Sequence, residues 1–84
     1  MAHVTIYTRD FCGYCARALN TLKAKGADFT EINAGMDPAL RQEMTQRSGR
    51  ATFPQIFVGD RHIGGCDEML DLDRQGKLDD LLAA

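Results

Sequence analysis

The fold is decided by the stretch Tyr7-Thr8-Arg9-Asp10-Phe11-Cys12-Gly13-Tyr14-Cys15, which lies between an apolar, β-forming run and a run with helical spacing. Two cysteines separated by two residues at a strand-to-helix junction are typical of a redox pair. A helix N-terminus stabilises the reactive thiolate through its unpaired N–H groups and the positive end of the helix dipole. Arg9 adds a positive charge nearby, and Asp10 opposes it. We therefore expect Cys12 to be the nucleophile and Cys15, one turn into the helix, to be the more enclosed resolving thiol.

Composition restricts the class of protein. The 84 residues suffice for one small domain, 1–84, and the hydrophobic fraction of 44% is that of a globular chain. A net charge of -2, from 10 basic and 12 acidic residues, argues against nucleic-acid binding. No apolar run approaches the ~20 residues of a membrane span, and the segment from Met1 to Val4 lacks the features of a signal peptide. We therefore expect a cytoplasmic protein, in which a cysteine pair is catalytic rather than structural.

Hydrophobic patterning predicts alternating strands and helices. Strands are predicted over residues 4–7, 29–32, 55–58 and 61–63. A first helix is predicted to begin at residue 13 or 14 and to end at Gly26. A second has Asp37 as N-cap and Pro38 in its first turn, and Ser48 and Gly49 end it. A third helix follows the glycines at 64–65 and ends at Gly76, and a last helical turn contains three leucines. The order β-α-β-α-β-β-α predicts an α/β fold with a four-stranded mixed sheet and helices on both faces.

Apolar side chains at helical spacing mark the helix faces that we expect to pack on this sheet. They are Ala16, Ala18, Leu19 and Leu22 in the first helix, Leu40 and Met44 in the second, Met69 and Leu72 in the third, and Leu78, Leu81 and Leu82 in the last turn. His3 and His62 have no predicted partner, and we expect both on the surface.

Three motifs, in their order along the chain, resemble those of the glutaredoxins. They are Cys12-Gly13-Tyr14-Cys15, Thr52-Phe53-Pro54 and Gly64-Gly65-Cys66-Asp67. The resemblance covers essentially the whole chain and is closest to the small bacterial glutaredoxins of class I. It implies the thioredoxin fold and a glutathione-dependent thiol–disulfide oxidoreductase. The implied substrates are protein–glutathione mixed disulfides and protein disulfides.

The resemblance also implies a site for glutathione, which carries two carboxylates and one ammonium. The glutathione-binding residues that it implies are Arg9, Tyr14, Arg41, Thr52, Phe53, Pro54, Gly65, Cys66 and Asp67. The two arginines would bind the glycine carboxylate, and the N–H groups of the 65–67 turn would bind the γ-glutamyl carboxylate. Asp67 would lie near the ammonium or serve only as the helix N-cap. Alternatively, the arginines are solvated surface charges and Cys66 is a small buried residue.

Pro54 belongs at the start of the third strand because proline cannot donate to a strand ladder. The resemblance implies a cis bond before it, which would turn the Phe53 backbone toward the substrate as if to pair with an added strand. In the implied chemistry, the Cys12 thiolate attacks a protein–glutathione disulfide, and the protein thiol leaves. A second glutathione then releases Cys12 from its mixed disulfide. In a dithiol route, Cys15 resolves that disulfide instead.

Two alternatives concern metals. Cys12 and Cys15 could form a zinc site with His62 and Cys66, although these pairs lie far apart in the sequence. Gly13 stands where the commonest dithiol motif of the family has proline, and members with small residues there can hold a [2Fe–2S] cluster. In such a homodimer, Cys12 from each protomer and two glutathione thiolates would supply four sulfurs. Otherwise we expect a monomer whose partners are glutathione and disulfide-bonded or glutathionylated proteins.

Overall fold

A computed structural model describes residues 2–84 and contains the predicted four-stranded mixed sheet with helices on both faces. Met1, part of the segment inspected for a signal peptide, lies outside the described residues. The strands are β1 Val4–Thr8, β2 Phe29–Asn33, β3 Gln55–Val58 and β4 Arg61–Gly64. The helices are α1 Gly13–Ala24, α2 Pro38–Ser48, α3 Cys66–Arg74 and α4 Lys77–Ala83.

The strand order β2-β1-β3-β4 brings the three sequence motifs to one end of the sheet. β1 is parallel to β2 and antiparallel to β3, and β4 is antiparallel to β3. Tyr7, near the end of β1, pairs with Gln55 at the start of β3, and Gly64 at the end of β4 pairs with Ile56. The cysteine motif follows β1, the proline motif precedes β3 and the glycine motif ends β4. The register therefore makes the three motifs neighbours.

Alternation along β1 divides the core between the two faces of the sheet. Val4 and Ile6 are fully buried in a cluster that includes Leu22 of α1 and Met69 of α3. Tyr7 points to the other face, where it is buried with Met44 of α2. Helices α1, α3 and α4 thus cover one face and α2 covers the other, as predicted.

Local chemistry fixes the ends of α2 where the sequence predicts them. Asp37 is the N-cap, and its carboxylate accepts hydrogen bonds from the backbone N–H groups of Ala39 at 3.0 Å and Leu40 at 3.2 Å. Pro38 occupies the first turn, where its missing N–H costs nothing. Gly49 ends the helix with φ = 74°, a left-handed conformation that glycine adopts without a Cβ penalty.

Two details of the helices differ from the prediction. Ala16 is exposed, and the buried residues of α1 are Cys15, Ala18 and Leu22. Ala18 and Leu22 are buried as predicted, and Cys15 is buried in place of Ala16 because the second cysteine faces the sheet. The last helical turn is a separate seven-residue helix, α4, which begins after Gly76 and buries Leu78 and Leu82. Within residues 2–84, no helix combines the length and the apolar character that crossing a bilayer would require.

Candidate active site

Cys12 is the N-cap residue of α1, with extended backbone angles of φ = -117° and ψ = 105°. Its sulfur accepts a hydrogen bond from the backbone N–H of Cys15 at 3.1 Å. Its carbonyl accepts from the N–H of Ala16, which closes the first turn of the helix. No acidic side chain lies in that turn, so nothing there opposes the positive end of the helix dipole. The cysteine predicted as nucleophile is therefore half-exposed at the helix terminus, as the sequence indicates.

Cys15 occupies a different environment although it lies only three residues away. The residue is 3% exposed and lies in the first turn of α1, among the buried residues of that helix. Burial, followed by the hydrogen bond with Cys12, raises the pKa of the Cys15 thiol to about 12. Arg9 acts in the opposite sense on the pKa of Cys15 through its backbone and its charge. Because the two thiols differ in exposure and environment, they are suited to different steps of thiol–disulfide exchange.

A pocket opens between the cysteine motif, the segment before β3 and the start of α3. It is lined by Tyr14, Arg50, Thr52, Phe53, Pro54, Gln55, Gly65, Cys66, Asp67 and Glu68. Seven of the nine predicted glutathione-binding residues are in this set. Cys66 is 3% exposed, and burial raises the pKa of its thiol, to which the charge of Cys12 also contributes. Cys66 is thus both a small buried residue and part of the pocket wall.

Two backbone segments that line the pocket approach each other closely. A Cβ atom placed on Gly65 would lie 3.3 Å from the carbonyl oxygen of Pro54. The Phe53–Pro54 peptide bond is cis, as predicted. The N-cap of α3 is Gly65 and not Asp67, which corrects the capping alternative for that aspartate. Asp67 lies inside the first turn and is exposed, since Gly65 supplies the extended N-cap conformation.

Arg50 and Glu68 also line this pocket, and the sequence analysis missed both. The Arg50 guanidinium donates to the Glu68 carboxylate, and this hydrogen bond is the main reason why the pKa of Glu68 is lowered. Glu68 is three residues after the N-cap, where a glutamate often reaches back to the helix start, so the sequence did carry a signal. Arg50 gave no comparable signal because its partner lies 18 residues away.

The sequence analysis also missed a set of hydrogen bonds from Gln55 that holds the segment before Pro54. The side-chain N–H₂ group of Gln55 donates to the carbonyl and the hydroxyl of Thr52, both at 3.0 Å. The Gln55 oxygen in turn pairs with Nε2 of His62 at 2.7 Å, and the His62 ring lies 5.0 Å from that of Phe57. His62 is therefore half-buried and partnered, contrary to the prediction of a surface residue. His3 is exposed, as predicted, and its ring pairs with Asp28 and Thr30.

The two predicted arginines lie outside the pocket lining. Arg41 is exposed on α2, and its guanidinium carbon lies 5.7 Å from the centre of the Phe53 ring, at the pocket rim. The Arg9 guanidinium donates to the backbone carbonyls of Asp10 at 3.1 Å and Phe11 at 3.3 Å. Arg9 thus braces the loop before Cys12, and its predicted contact with a glycine carboxylate stays a prediction. In residues 2–84, no three histidine, cysteine or acidic side chains converge as a metal site would need, so the zinc alternative gains no support.

Comparison with known proteins gives the family. The glutaredoxin family model matches residues 4–63. A glutaredoxin of Pseudomonas aeruginosa is 49% identical over 84 residues and covers 100% of both chains. Glutaredoxin 3 of Escherichia coli K12 is 51% identical over 82 residues, which are 98% of this chain and 99% of that one. The chain belongs to the glutaredoxin family. It is therefore a glutathione-dependent thiol–disulfide oxidoreductase.

Solved glutaredoxin structures share the fold. The solution structure from Brucella melitensis is 58% identical, with a TM-score of 0.85, over 98% of this chain and 89% of that one. A buckwheat glutaredoxin in complex with glutathione is 31% identical, with a TM-score of 0.86, over 95% and 76% of the two chains. A structure from work on the metal binding of glutaredoxins is 57% identical, with a TM-score of 0.73, over 98% and 89%. The predicted thioredoxin fold of the family is thereby confirmed.

His62 generates a prediction on stability. Burial, and then the positive charge of Arg50, lowers the pKa of folded His62 below its ordinary value of 6.5. As the pH falls through 6.5, the unfolded chain takes up this proton first, so the free energy of unfolding decreases and then levels off once folded His62 is also protonated. Urea unfolding at pH 7.5 and 5.5 should show this decrease, in a window above the ordinary pKa of 4.5 of Glu68.

The matched variant is His62→Gln, which keeps an N–H donor for Gln55 but does not titrate. Its free energy of unfolding should depend less on pH across the same window. An identical pH dependence in both proteins would show that His62 is not the titrating group.

Proposed function

We propose that the pocket beside Cys12 binds glutathione and that Cys12 exchanges disulfides with it. One observation carries this proposal: a half-exposed cysteine at a helix N-terminus lies next to a pocket that is lined by side chains of both charges. Glutathione itself carries two carboxylates and one ammonium. The buckwheat relative, whose structure is a complex with glutathione, supports the same ligand here.

The start of α3 is suited to the γ-glutamyl end of the tripeptide. Its N-cap, Gly65, has no side chain, and the Glu68 carboxylate accepts from the backbone N–H groups of Gly65 and Glu68. The N–H groups of Cys66 and Asp67 can donate to the carboxylate of a ligand. We propose that Cys66 and Asp67 supply these donors and that Gly65, which has no Cβ, lets the ligand approach the backbone. The exposed carboxylate of Asp67 would then face the ammonium.

The other end of the tripeptide would lie along the segment before β3. Thr52, Phe53 and Pro54 would contact its backbone, and the half-exposed Tyr14 ring would cover the sulfur. Arg41 stands at the Phe53 rim and would reach the glycine carboxylate through solvent. The proposed role of Arg9 in the same contact requires that its guanidinium leave the two loop carbonyls that it now binds.

The proposed reaction proceeds by two exchanges. The Cys12 thiolate attacks the glutathione sulfur of a protein–glutathione disulfide, the old S–S bond breaks, and the protein sulfur leaves as a thiolate that takes a proton from water. A second glutathione thiolate attacks the glutathione sulfur on Cys12, which forms oxidised glutathione and releases Cys12 as a thiolate. In the dithiol route, the Cys15 thiolate attacks the Cys12 sulfur of the mixed disulfide instead, so that a Cys12–Cys15 disulfide forms and glutathione leaves as a thiolate. Burial is the largest cause of the raised pKa of Cys15 and disfavours this route, whereas the smaller contribution of the Cys12 charge is absent once Cys12 is in the mixed disulfide.

The roles of the two cysteines are tested by serine variants. Cys12→Ser should reduce the kcat/KM for deglutathionylation by more than about 10³-fold, the scale expected for loss of a nucleophile. Cys15→Ser should keep most of that activity, because the group that stabilises the Cys12 sulfur is the backbone N–H of residue 15, which the variant retains. It should lose reduction of protein disulfides, which requires two thiols. An active Cys12→Ser protein would refute the proposal.

We propose a cluster-bound homodimer as a second function, in which Cys12 from each protomer and two glutathione thiols would hold a [2Fe–2S] cluster. The donor set fits, because this requires one accessible thiol per chain. A Cβ atom placed on Gly13 would meet no atom within 4 Å, so the surface beside Cys12 is open to a second protomer. The relative studied for metal binding, 57% identical, also favours it.

Purification without air in the presence of glutathione tests this second function. The protein should be brown, with visible absorbance, and should sediment as a dimer. Cys15→Ser should keep the colour and Cys12→Ser should lose it. A colourless monomer obtained under these conditions would dismiss the cluster form. Without the cluster, we propose a monomeric domain, 1–84, that acts in the cytoplasm, where glutathione can return Cys12 to its reduced state.

A further inference from the structure

We propose that His62 and Gln55 are positioning residues for glutathione, and that they fix the Thr52 hydroxyl as a hydrogen-bond donor to an oxygen of the tripeptide. The inference rests on the proposed function, because it concerns one wall of the same pocket. Neither His62 nor Gln55 is among the predicted glutathione-binding residues, and His62 lies outside the pocket lining. The proposal gives a residue that does not touch the ligand an effect on its affinity.

The orientation of the Gln55 side-chain amide follows from its contact with Thr52. The amide nitrogen lies 3.0 Å from the Thr52 carbonyl oxygen, which can only accept a hydrogen bond. If the amide were turned over, two carbonyl oxygens would face each other without a proton between them. The nitrogen of Gln55 must therefore face Thr52, and its oxygen must face His62.

The tautomer of His62 follows from that orientation. Nε2 of His62 lies 2.7 Å from the side-chain oxygen of Gln55, and this oxygen has no proton to donate. Nε2 must therefore carry a proton, so neutral His62 is the Nε2–H tautomer. The hydrogen bonds thus run in one direction, from His62 to Gln55 and from Gln55 to Thr52.

This direction determines what the Thr52 hydroxyl offers to a ligand. The hydroxyl oxygen accepts from the Gln55 amide at 3.0 Å, so its own proton must point elsewhere. Among the hydrogen bonds within residues 2–84, none uses the Thr52 hydroxyl as donor. Thr52 is exposed and lines the pocket. Its proton is therefore available to a carboxylate or peptide oxygen of glutathione, which accepts hydrogen bonds only.

The sheet fixes the position of the His62 ring. His62 of β4 pairs with Phe57 of β3, and the two rings lie 5.0 Å apart. Phe57 is buried in the core cluster that includes Met44 of α2, and Gln55 is 1% exposed. Since side chains two residues apart on a strand share a face, Gln55 and Phe57 contact His62 from the same face of β3. A wall held in this way needs little further ordering when a ligand binds.

The test is a double-mutant cycle with His62→Leu and Thr52→Val. Leucine cannot donate to Gln55, so the amide loses its fixed orientation, and valine removes the hydroxyl at nearly constant volume. Each single variant should raise the KM for the mixed disulfide of glutathione and 2-mercaptoethanol about three- to tenfold, as expected for loss of one hydrogen bond, while kcat changes little. The double variant should show no greater rise than Thr52→Val alone, because His62 acts through that hydroxyl. His62→Gln, which keeps an N–H donor, should stay near the wild-type KM.

Two controls separate positioning from other effects. His3→Leu makes the same change at an exposed histidine before β1, at the end of the sheet opposite the pocket, and its KM should equal that of the wild type. Alkylation of Cys12 by iodoacetamide requires no tripeptide site. It should therefore proceed at the wild-type rate in every variant.

The tautomer is read from the nitrogen NMR spectrum of the wild type at pH 7.5, where the lowered pKa of folded His62 leaves its ring neutral. The spectrum should show the Nε2–H form, and it requires no variant to fold. An Nδ1–H tautomer would overturn the inference. An unchanged KM of His62→Leu, a fall in kcat without a rise in KM, or rises that multiply in the double variant would overturn it too. A wild type that does not turn over the mixed disulfide would instead refute the proposed function.

Discussion

The hydrogen bond from the backbone N–H of Cys15 to the sulfur of Cys12 is the contact on which the rest of the site depends. It forms because the first cysteine of the motif occupies the N-cap position, where an asparagine, aspartate or serine side chain usually accepts from the helix. A sulfur at the N-cap accepts a hydrogen bond from a backbone N–H that the helix leaves unpaired, and it lies at the positive end of the helix dipole. The same turn directs the second cysteine into the core. One helical turn thereby separates an accessible thiol from one whose pKa is raised to about 12.

The sheet supplies the remainder of the site through its register. The antiparallel pairs Tyr7 with Gln55 and Ile56 with Gly64 bring the proline segment and the start of α3 beside the cysteine turn. The pocket then lies between backbone segments whose positions are fixed by buried strands. Hydrogen bonds from His62 through Gln55 to Thr52 hold the wall formed by the proline segment. The ion pair of Arg50 with Glu68 holds the wall formed by the start of α3. The substrate site is preorganised by the sheet and not by the loops alone.

Much of this architecture could be predicted from the sequence because local signals were strong. Asp37 with Pro38 and the glycines 49 and 76 fixed helix ends, and the alternation of β1 indicated its two buried faces. The three motifs, through the family resemblance, predicted seven of the residues that line the pocket beside Cys12. The capping role of Asp67 and the omission of Glu68 are errors in reading one helix start. The other errors share a cause, which is contact between distant parts of the chain. The partners of Arg50 and His62 lie in other elements, and the exposure of Ala16 depends on how α1 is rotated against the sheet.

Every proposed exchange step involves the Cys12 sulfur, so the central question is which of the three thiols reacts first. The most direct test treats the reduced protein at pH 7 with a limiting amount of iodoacetamide and maps the modified peptides by mass spectrometry. The account predicts that Cys12 carries the first label, while the buried Cys15 and Cys66 are labelled much later. Labelling of Cys15 before Cys12, or of all three cysteines at one rate, would contradict it.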